Sequence, residues 1–310
     1  MMRPVSVTIV TLLFLVGCHK DTDTPPKEIF EPITLETSEK QIIITEQASA
    51  SVMIFDQPSR KRLWSWSADD DPAIPATRKK WFRLPDEAKP VDDCRSLLIT
   101  ASGGGVALVR IEDSKVLFYA HPGGNPHSAE MLPDGSIVVA SSTGCRLSVY
   151  RYDPLNEYVP SKLSETVLDD AHACVWDNSR KCLWAAGGGS LVCYGYQDGS
   201  LTEIARYGIP SAYAHDLSPV YGEDRLILST GSNVYFFDPD KKTFSQVEGA
   251  ASVNNVKSIS TGPKNLTTLC TIPDESWHTT QVLGFFTGMR AFYLADSEIY
   301  KARWRVNYNF

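Results

Sequence analysis

Three histidines recur at nearly constant spacing in the middle of the chain. His127, His172 and His215 stand 45 and 43 residues apart, and short apolar stretches typical of β-strands follow them. Imidazole nitrogens are common ligands of transition metals, and three of them around one point leave an open coordination position. If the spacing reflects a structural repeat, the three rings converge. The sequence therefore predicts a metal or anionic-ligand site, and the metal could be Zn²⁺, Mn²⁺ or Fe²⁺. The alternative is structural: each histidine bonds the backbone of the neighbouring repeat.

Further polar residues are predicted to complete or orient this site. His278, behind Trp277, is a fourth candidate ligand from a later strand or loop. The supporting candidates lie in corresponding places of neighbouring repeats or beside a histidine: Asp93, Arg95, Glu130, Asp216, Lys257, Trp277 and Gln281. No catalytic residue is assigned, and whether the protein is an enzyme is left open.

The histidines belong to a repeat of strand, turn and strand. Five copies are visible, at residues 41–55, 97–109, 136–150, 182–194 and 225–237. Small residues join the two apolar strands of each copy, and the runs Gly103–Gly105 and Gly187–Gly189 are read as hairpin turns because no Lys-Ser/Thr follows as in a phosphate loop. A period of about 40 to 45 residues with about four strands per unit is typical of propeller blades. The predicted fold is all-β, a β-propeller.

Six blades are expected, with five or seven as alternatives. They are assigned to residues 38–68, 92–122, 124–168, 170–210, 211–250 and 252–300. The first copy begins with its hairpin and lacks a leading strand, which Glu298–Trp304 is expected to supply from the other end of the chain. The Pro-containing, charged residues 69–91 are expected to form a long excursion between the first two blades.

The N-terminus has the pattern of an export signal. Arg3 is followed by the largely apolar stretch Val5–Val16, which is too short to span a bilayer. The stretch ends in Leu15-Val16-Gly17-Cys18, which resembles the lipobox of bacterial lipoproteins. We therefore expect a signal peptide at residues 1–17, a lipidated Cys18 that begins a flexible tether over 18–37, and one propeller domain over 38–310. The lipid bilayer is then a partner through the anchor.

Composition narrows the range of partners. The 310 residues carry a net charge of −7, which argues against nucleic acid because phosphate binding needs a basic face. Six cysteines besides Cys18 form no CxxC pair, so structural zinc is not expected. They are interpreted as small buried hydrophobic residues, although Cys174 and Cys182 flank a turn and could approach each other.

Several motifs together resemble a known but uncharacterised family. They are Ser102–Gly105, Asn125–Glu130, Ala171–Asp177, His215–Leu217, Val256–Ile259 and Trp277–His278. The chain resembles extracytoplasmic propeller proteins of gut Bacteroidetes, and the charged residues behind Cys18 look like surface-export signals of such lipoproteins. The resemblance implies the fold and an outer-membrane anchor, on the cell surface or on the periplasmic face, but no activity. A looser similarity is to oligogalacturonate lyases, which would imply Mn²⁺ held by the three histidines with Gln281 or His278.

The resulting functional hypothesis is a surface lipoprotein propeller. It would bind a glycan or another small ligand at a histidine-ringed, metal-capable mouth of the central channel. One alternative is a non-catalytic scaffold for partner proteins in an outer-membrane complex. The other alternative is a metal-dependent polysaccharide lyase or hydrolase.

Overall fold

A computed structural model describes residues 40–153, 160–251, 253–274, 276–308 and 310. The predicted signal peptide, Cys18 and the tether lie outside these ranges. Within them the chain is built of β-strands, with a short 3-10 helix at Lys79–Phe82. None of the helical residues in this part of the chain forms a segment that is long and apolar enough to cross a membrane.

The strands form six four-stranded antiparallel sheets, which are the six blades of a β-propeller. The first three blades contain β1 (Gln41–Glu46), β2 (Ser51–Asp56), β3 (Arg62–Trp66), β4 (Pro85–Val91), β5 (Ser96–Ala101), β6 (Val106–Arg110), β7 (Val116–Ala120), β8 (Pro126–Met131), β9 (Ile137–Ser141), β10 (Arg146–Arg151) and β11 (Ser161–Val167). The remaining strands are β12 (Ala171–Asp177), β13 (Cys182–Gly187), β14 (Ser190–Gln197), β15 (Ser200–Gly208), β16 (Asp216–Pro219), β17 (Leu226–Ser229), β18 (Val234–Asp238), β19 (Thr243–Val247), β20 (Ser258–Ser260), β21 (Leu269–Thr271), β22 (Gln281–Gly284), β23 (Arg290–Tyr293) and β24 (Ile299–Trp304).

The two ends of the described chain meet in the first blade. Its strand order is β24-β1-β2-β3, so the last strand of the chain is the innermost strand of the first blade. β24 pairs antiparallel with β1 from Ile42 opposite Trp304 to Glu46 opposite Ile299. The prediction that the C-terminal segment supplies the missing leading strand is confirmed, and the ring closes by mixing strands from both ends.

The second blade begins earlier than the sequence indicated. Its innermost strand is β4, which falls within the predicted excursion, and it pairs with β5 from Pro85 opposite Ala101 to Val91 opposite Ser96. The prolines and charges that indicated a loop are tolerated because β4 is an edge strand of its sheet, where a missing N–H breaks no ladder. The prediction that this blade starts at residue 92 was wrong.

Alternate residues of each blade pack on opposite neighbours. Leu97 and Ile99 pack towards the first blade, whereas Leu98, between them, packs towards the third. The buried apolar side chains form six clusters of this kind, one at each blade-to-blade junction of the described chain. Because both faces of a blade are buried, its strands are apolar along their length, which explains the continuous apolar runs of the repeat.

The segment before β4 packs on the side of the first two blades. Ile74 and Phe82 are buried in the cluster at their junction. The turn Ser102–Gly105 lies directly on the 3-10 helix, where a Cβ at Gly103 would lie 2.5 Å from the carbonyl oxygen of Lys80. Gly104 has a φ of +105°, which favours glycine. The interpretation of this run as a hairpin turn is confirmed.

Substitution of Trp304 tests how much the closure of the ring contributes to stability. Its indole is 2% exposed at the junction of the sixth and first blades, and Nε1 donates to the carbonyl of Thr267 at 2.8 Å. We expect Trp304→Ala to lower the free energy of unfolding by about 3–5 kcal/mol through the cavity that it leaves. Urea unfolding measures the loss. The matched control is Trp277→Ala, because that indole is 50% exposed; equal losses in the two variants would contradict the closure argument.

Candidate functional site in the central channel

The innermost strands of the six blades line a channel, and each supplies one residue at the same level of one mouth. In β4, β8 and β12 this residue sits at a β-bulge, and in β16 and β20 it directly precedes the strand. We call these residues the histidine layer: Asp86, His127, His172, His215, Lys257 and Tyr300. A bulge turns its extra side chain away from the ladder, which aims it into the mouth.

The three predicted histidines meet in this layer. The rings of His127 and His172 stack with centroids 4.4 Å apart and an interplanar angle of 12°. The His172 and His215 rings meet edge to face at 5.3 Å. Tyr300 flanks the stack, with its hydroxyl 3.5 Å from Nδ1 of His127. The structure therefore brings together the residues that the repeat placed in register.

Hydrogen bonds indicate which ring nitrogens carry protons. The Asn125 amide donates to Nε2 of His127 at 3.0 Å, and His172 Nδ1 donates to the Asp170 carbonyl at 2.9 Å. The Lys257 ammonium donates to Nε2 of His215 at 3.1 Å, which leaves the proton on Nδ1, a buried donor that has no partner in the part of the chain that the structure describes. Burial, reinforced by Lys257, lowers the pKa of His215 to about 2, so this ring is neutral at pH 7.

Lys257 takes the place of a histidine in the sixth blade. Its backbone N–H donates to Thr271 at 2.9 Å, as the N–H of His215 donates to Ser229 at 2.9 Å in the fifth blade. The side chain is 9% exposed. Burial, together with the nearby charge of Lys301, lowers the pKa of Lys257 to about 8.

A layer of buried charges, which we call the charge layer, lies below the histidines. It consists of Glu87 from β4, Asp216 from β16, and Lys301 and Arg303 from β24. Arg303 Nε donates to Glu87 Oε1 at 2.8 Å and its Nη2 donates to Asp216 Oδ1 at 2.5 Å, while Lys301 Nζ lies 3.3 Å from Asp216 Oδ1. All four residues are at most 3% exposed, so this layer seals the channel. Burial opposes ionisation, but Arg303 and the neighbouring lysines keep the pKa of Glu87 below its ordinary value.

A cavity of about 410 Å³ opens at the mouth opposite the histidine layer. Lys89 and Glu130 lie at its inner end, with Lys89 Nζ 3.3 Å from Glu130 Oε2 and 2.5 Å from the Cys174 carbonyl. Burial raises the pKa of Glu130. Trp176 and Tyr308 are among the wall residues, so polar groups at the inner end face an aromatic wall.

The other predicted candidates lie apart from the histidines. Asp93 and Arg95 follow β4 in a turn at the opposite face and pair there at 3.9 Å, so their predicted place in the ring was wrong. The leading strand of their blade is β4, and Asp86 occupies the position instead. His278 faces Glu298 at 3.8 Å, and the Trp277 indole donates to Gln47.

Three predicted supporting residues do not join the histidine layer. Two of them lie elsewhere in the channel, and one lies outside it. Gln281 begins β22, the third strand of the sixth blade, away from the channel. Glu130 lines the opposite cavity, and Asp216 belongs to the charge layer. Several channel residues were not predicted: Asp86, Glu87, Lys89, Tyr300, Lys301, Arg303 and Tyr308. Polar residues at every second position of an innermost strand, such as Glu87 and Lys89 in β4, are the signal that could have indicated them.

No group of three or more His, Cys, Asp or Glu side chains in the described ranges is arranged to hold a metal ion. In the histidine layer the rings of His127 and His172 stack face to face, and Lys257 donates to Nε2 of His215. The six described cysteines are free thiols. Cys174 and Cys182 pack in different clusters, in agreement with their interpretation as buried hydrophobic residues.

The protein is therefore a six-bladed β-propeller with a polar central channel. The charge layer seals this channel, and its two mouths differ in chemistry. The chain belongs to DUF6528, a family of unknown function, whose pattern matches residues 3–310. The prediction of an uncharacterised propeller family is confirmed at that level. No curated protein matches the chain.

Two solved structures are similar to this chain. One is a protein of unknown function from Bacteroides caccae, with a TM-score of 0.61 and 10% identity, covering 86% of this chain and 98% of that chain. The other is a protein from Lactobacillus plantarum, with a TM-score of 0.52 and 13% identity, covering 70% of this chain and 69% of that chain. At these identities the likeness shows the fold alone.

Substitution of Asp216 tests how much the charge layer contributes to stability. In Asp216→Asn, Lys301 and Arg303 share the single carboxylate of Glu87 in a site without water access. We expect the free energy of unfolding in urea to fall by about 3–5 kcal/mol. The control is Glu203→Gln, which breaks an exposed pair with Arg206 and leaves stability unchanged. Wild-type stability in Asp216→Asn would contradict the role of the layer.

The lowered pKa of Lys257 predicts that the stability of the protein depends on pH. Its pKa is about 8 in the folded protein against an ordinary value of 10.5. Between these values the unfolded chain binds more protons, so this group makes wild-type stability rise with pH there; below pH 8 its destabilising effect is constant. We expect Lys257→Met to be more stable than wild type at pH 7 by about 1–3 kcal/mol, with a difference that shrinks above pH 8.

Thermal and urea unfolding between pH 6 and pH 10 measure this difference. Lys61→Met, at an exposed position, is the control and should show none. A stability difference that does not change with pH would contradict the assignment to the Lys257 ammonium.

Proposed function

We propose that this protein is a ligand-binding propeller that takes a small polyhydroxylated molecule, such as a sugar unit of a glycan, in the cavity opposite the histidine layer. The observation that carries the proposal is the cavity of about 410 Å³ with the Lys89–Glu130 pair at its inner end. Ligand pockets of proteins commonly have this size and combine apolar walls with a few polar groups.

The inner end offers complementary hydrogen-bonding groups. The Lys89 ammonium is a donor only, whereas the Glu130 carboxylate accepts, and in its protonated form also donates. A sugar hydroxyl can accept from one and donate to the other. Because burial raises the pKa of Glu130, its ionisation adjusts to a ligand more readily than that of an exposed carboxyl group.

The walls suit a ring with an apolar face. Trp176, Tyr308 and Phe310 present aromatic surface among the cavity walls. Aromatic side chains pack against apolar C–H faces while polar groups bind the ring's hydroxyls. The glycan prediction therefore finds its support at this mouth, whereas the sequence had placed it at the histidines. A lipid anchor at Cys18 and display at the cell surface stay part of the proposal.

Binding is tested on an array of immobilised neutral and acidic oligosaccharides, with the complete mature chain. Glu130→Gln keeps the shape of the side chain but removes its charge and weakens the pairing with Lys89. We expect at least one saccharide to bind the wild type and Glu130→Gln to lose about tenfold or more in affinity, as expected for a charged hydrogen-bond partner.

Glu203→Gln, which changes an exposed glutamate in the fourth blade, should bind like wild type. Wild-type binding by Glu130→Gln would move the ligand away from the cavity. Absence of any saccharide binding would overturn the glycan proposal and leave the interaction scaffold as the alternative function. Metal analysis of protein purified without a polyhistidine tag tests the predicted Mn²⁺, Zn²⁺ or Fe²⁺.

A further inference from the structure

We propose that the histidine layer is a separate binding site for an oxyanion, the carboxylate or phosphate group of a ligand, with Lys257 as its principal cation. Lys257 is 9% exposed, and among the described residues its side-chain nitrogen bonds only the neutral ring of His215, at 3.1 Å. Across the described ranges, no carboxylate lies within ion-pair distance of this ammonium. A buried cation without a counter-charge is costly unless an anion joins it.

The surroundings of Lys257 favour an anion further. Lys301 lies in the layer below and adds a positive potential at Lys257. The neighbouring His215 has a buried Nδ1–H donor that lacks an acceptor. An oxyanion beside Nζ supplies the counter-charge that Lys257 lacks, and its oxygens accept several hydrogen bonds.

The same features disfavour a cation. A metal needs lone pairs that point at one place, but Asn125 donates to Nε2 of His127 and Lys257 donates to Nε2 of His215. The ammonium beside His215 would also repel a metal ion at contact distance. Of the three rings, only His172 keeps a lone-pair nitrogen that is not engaged in these bonds.

The site is accessible and independent of the cavity. His172 and His215 are partly exposed, so the layer is reached from solvent. The charge layer separates it from Lys89 and Glu130, because its four residues are at most 3% exposed. An anion at this mouth and a ligand in the cavity therefore bind at opposite ends of the channel.

The test is a titration of the complete mature chain at pH 7 with sodium acetate and, separately, inorganic phosphate, at constant ionic strength made up with chloride. Long-range ¹H–¹⁵N spectra report the imidazole nitrogens. We expect saturable shifts of His172 and His215 while the exposed His121, in the second blade, stays unchanged. The stronger of the two anions identifies a carboxylate or a phosphate group as the natural one.

Lys257→Met is expected to weaken anion binding about tenfold or more, and Lys61→Met to leave it unchanged. An unchanged His121 resonance and a cooperative thermal transition verify that the Lys257→Met variant is folded. Shifts that do not saturate, or equal affinity in Lys257→Met, would overturn the proposal, as would tight Zn²⁺ binding that shifts all three rings. Glu130→Gln should retain wild-type anion affinity, which separates this proposal from that of the cavity.

Discussion

The structure depends on the neutralisation of Glu87 and Asp216 by Lys301 and Arg303. The two acids come from the second and fifth blades, whereas both cations come from β24, the last strand. The strand that closes the ring is thus also the strand that balances its interior charge. A ring without β24 would leave β1 without its neighbouring strand and would remove both cations that pair with Asp216 and two of the three that pair with Glu87, so the closed form is favoured by backbone pairing and by electrostatics together.

The alternation of side chains along a β-strand places the channel residues in successive levels, and the charge layer is the middle level. On an innermost strand, residues two apart share a face, so Glu87 and Lys89 both point towards the axis at successive levels. The same spacing relates Lys301 to Arg303. Because the charges of the middle level pair with one another, the polar groups that can meet a ligand lie above and below it. The histidine layer above combines three imidazole rings with one ammonium, whereas the cavity below combines an ion pair with aromatic walls. One backbone repeat therefore produces two unlike mouths.

The hairpins, the blade period and the closing strand could be predicted because each has a local pattern of apolar residues and turns. The leading strand of the second blade could not, because Pro85, Pro90 and three charges between them read as a loop. Those charges are buried only because partners on β24 and β8, far away in the chain, neutralise them. Periodicity records which face a residue occupies, but not which distant residue it meets. For the same reason the convergence of His127, His172 and His215 was predictable, and the lysine beside them was assigned only a supporting role.

Membership of a family of unknown function and similarity in fold at 10% identity transfer no site residues to this chain. The chemistry of the two channel mouths therefore has to be inferred from the positions of this chain's own side chains. The apolar clusters between the blades are built from residues outside the channel, so the six side chains of the histidine layer can differ without altering how the blades pack. Replacing Lys257 by an acid would reverse the charge preference of that mouth while the strand pairing stayed the same. In the proposed functions a few channel side chains therefore select the ligand, and the fold sets only where those side chains meet.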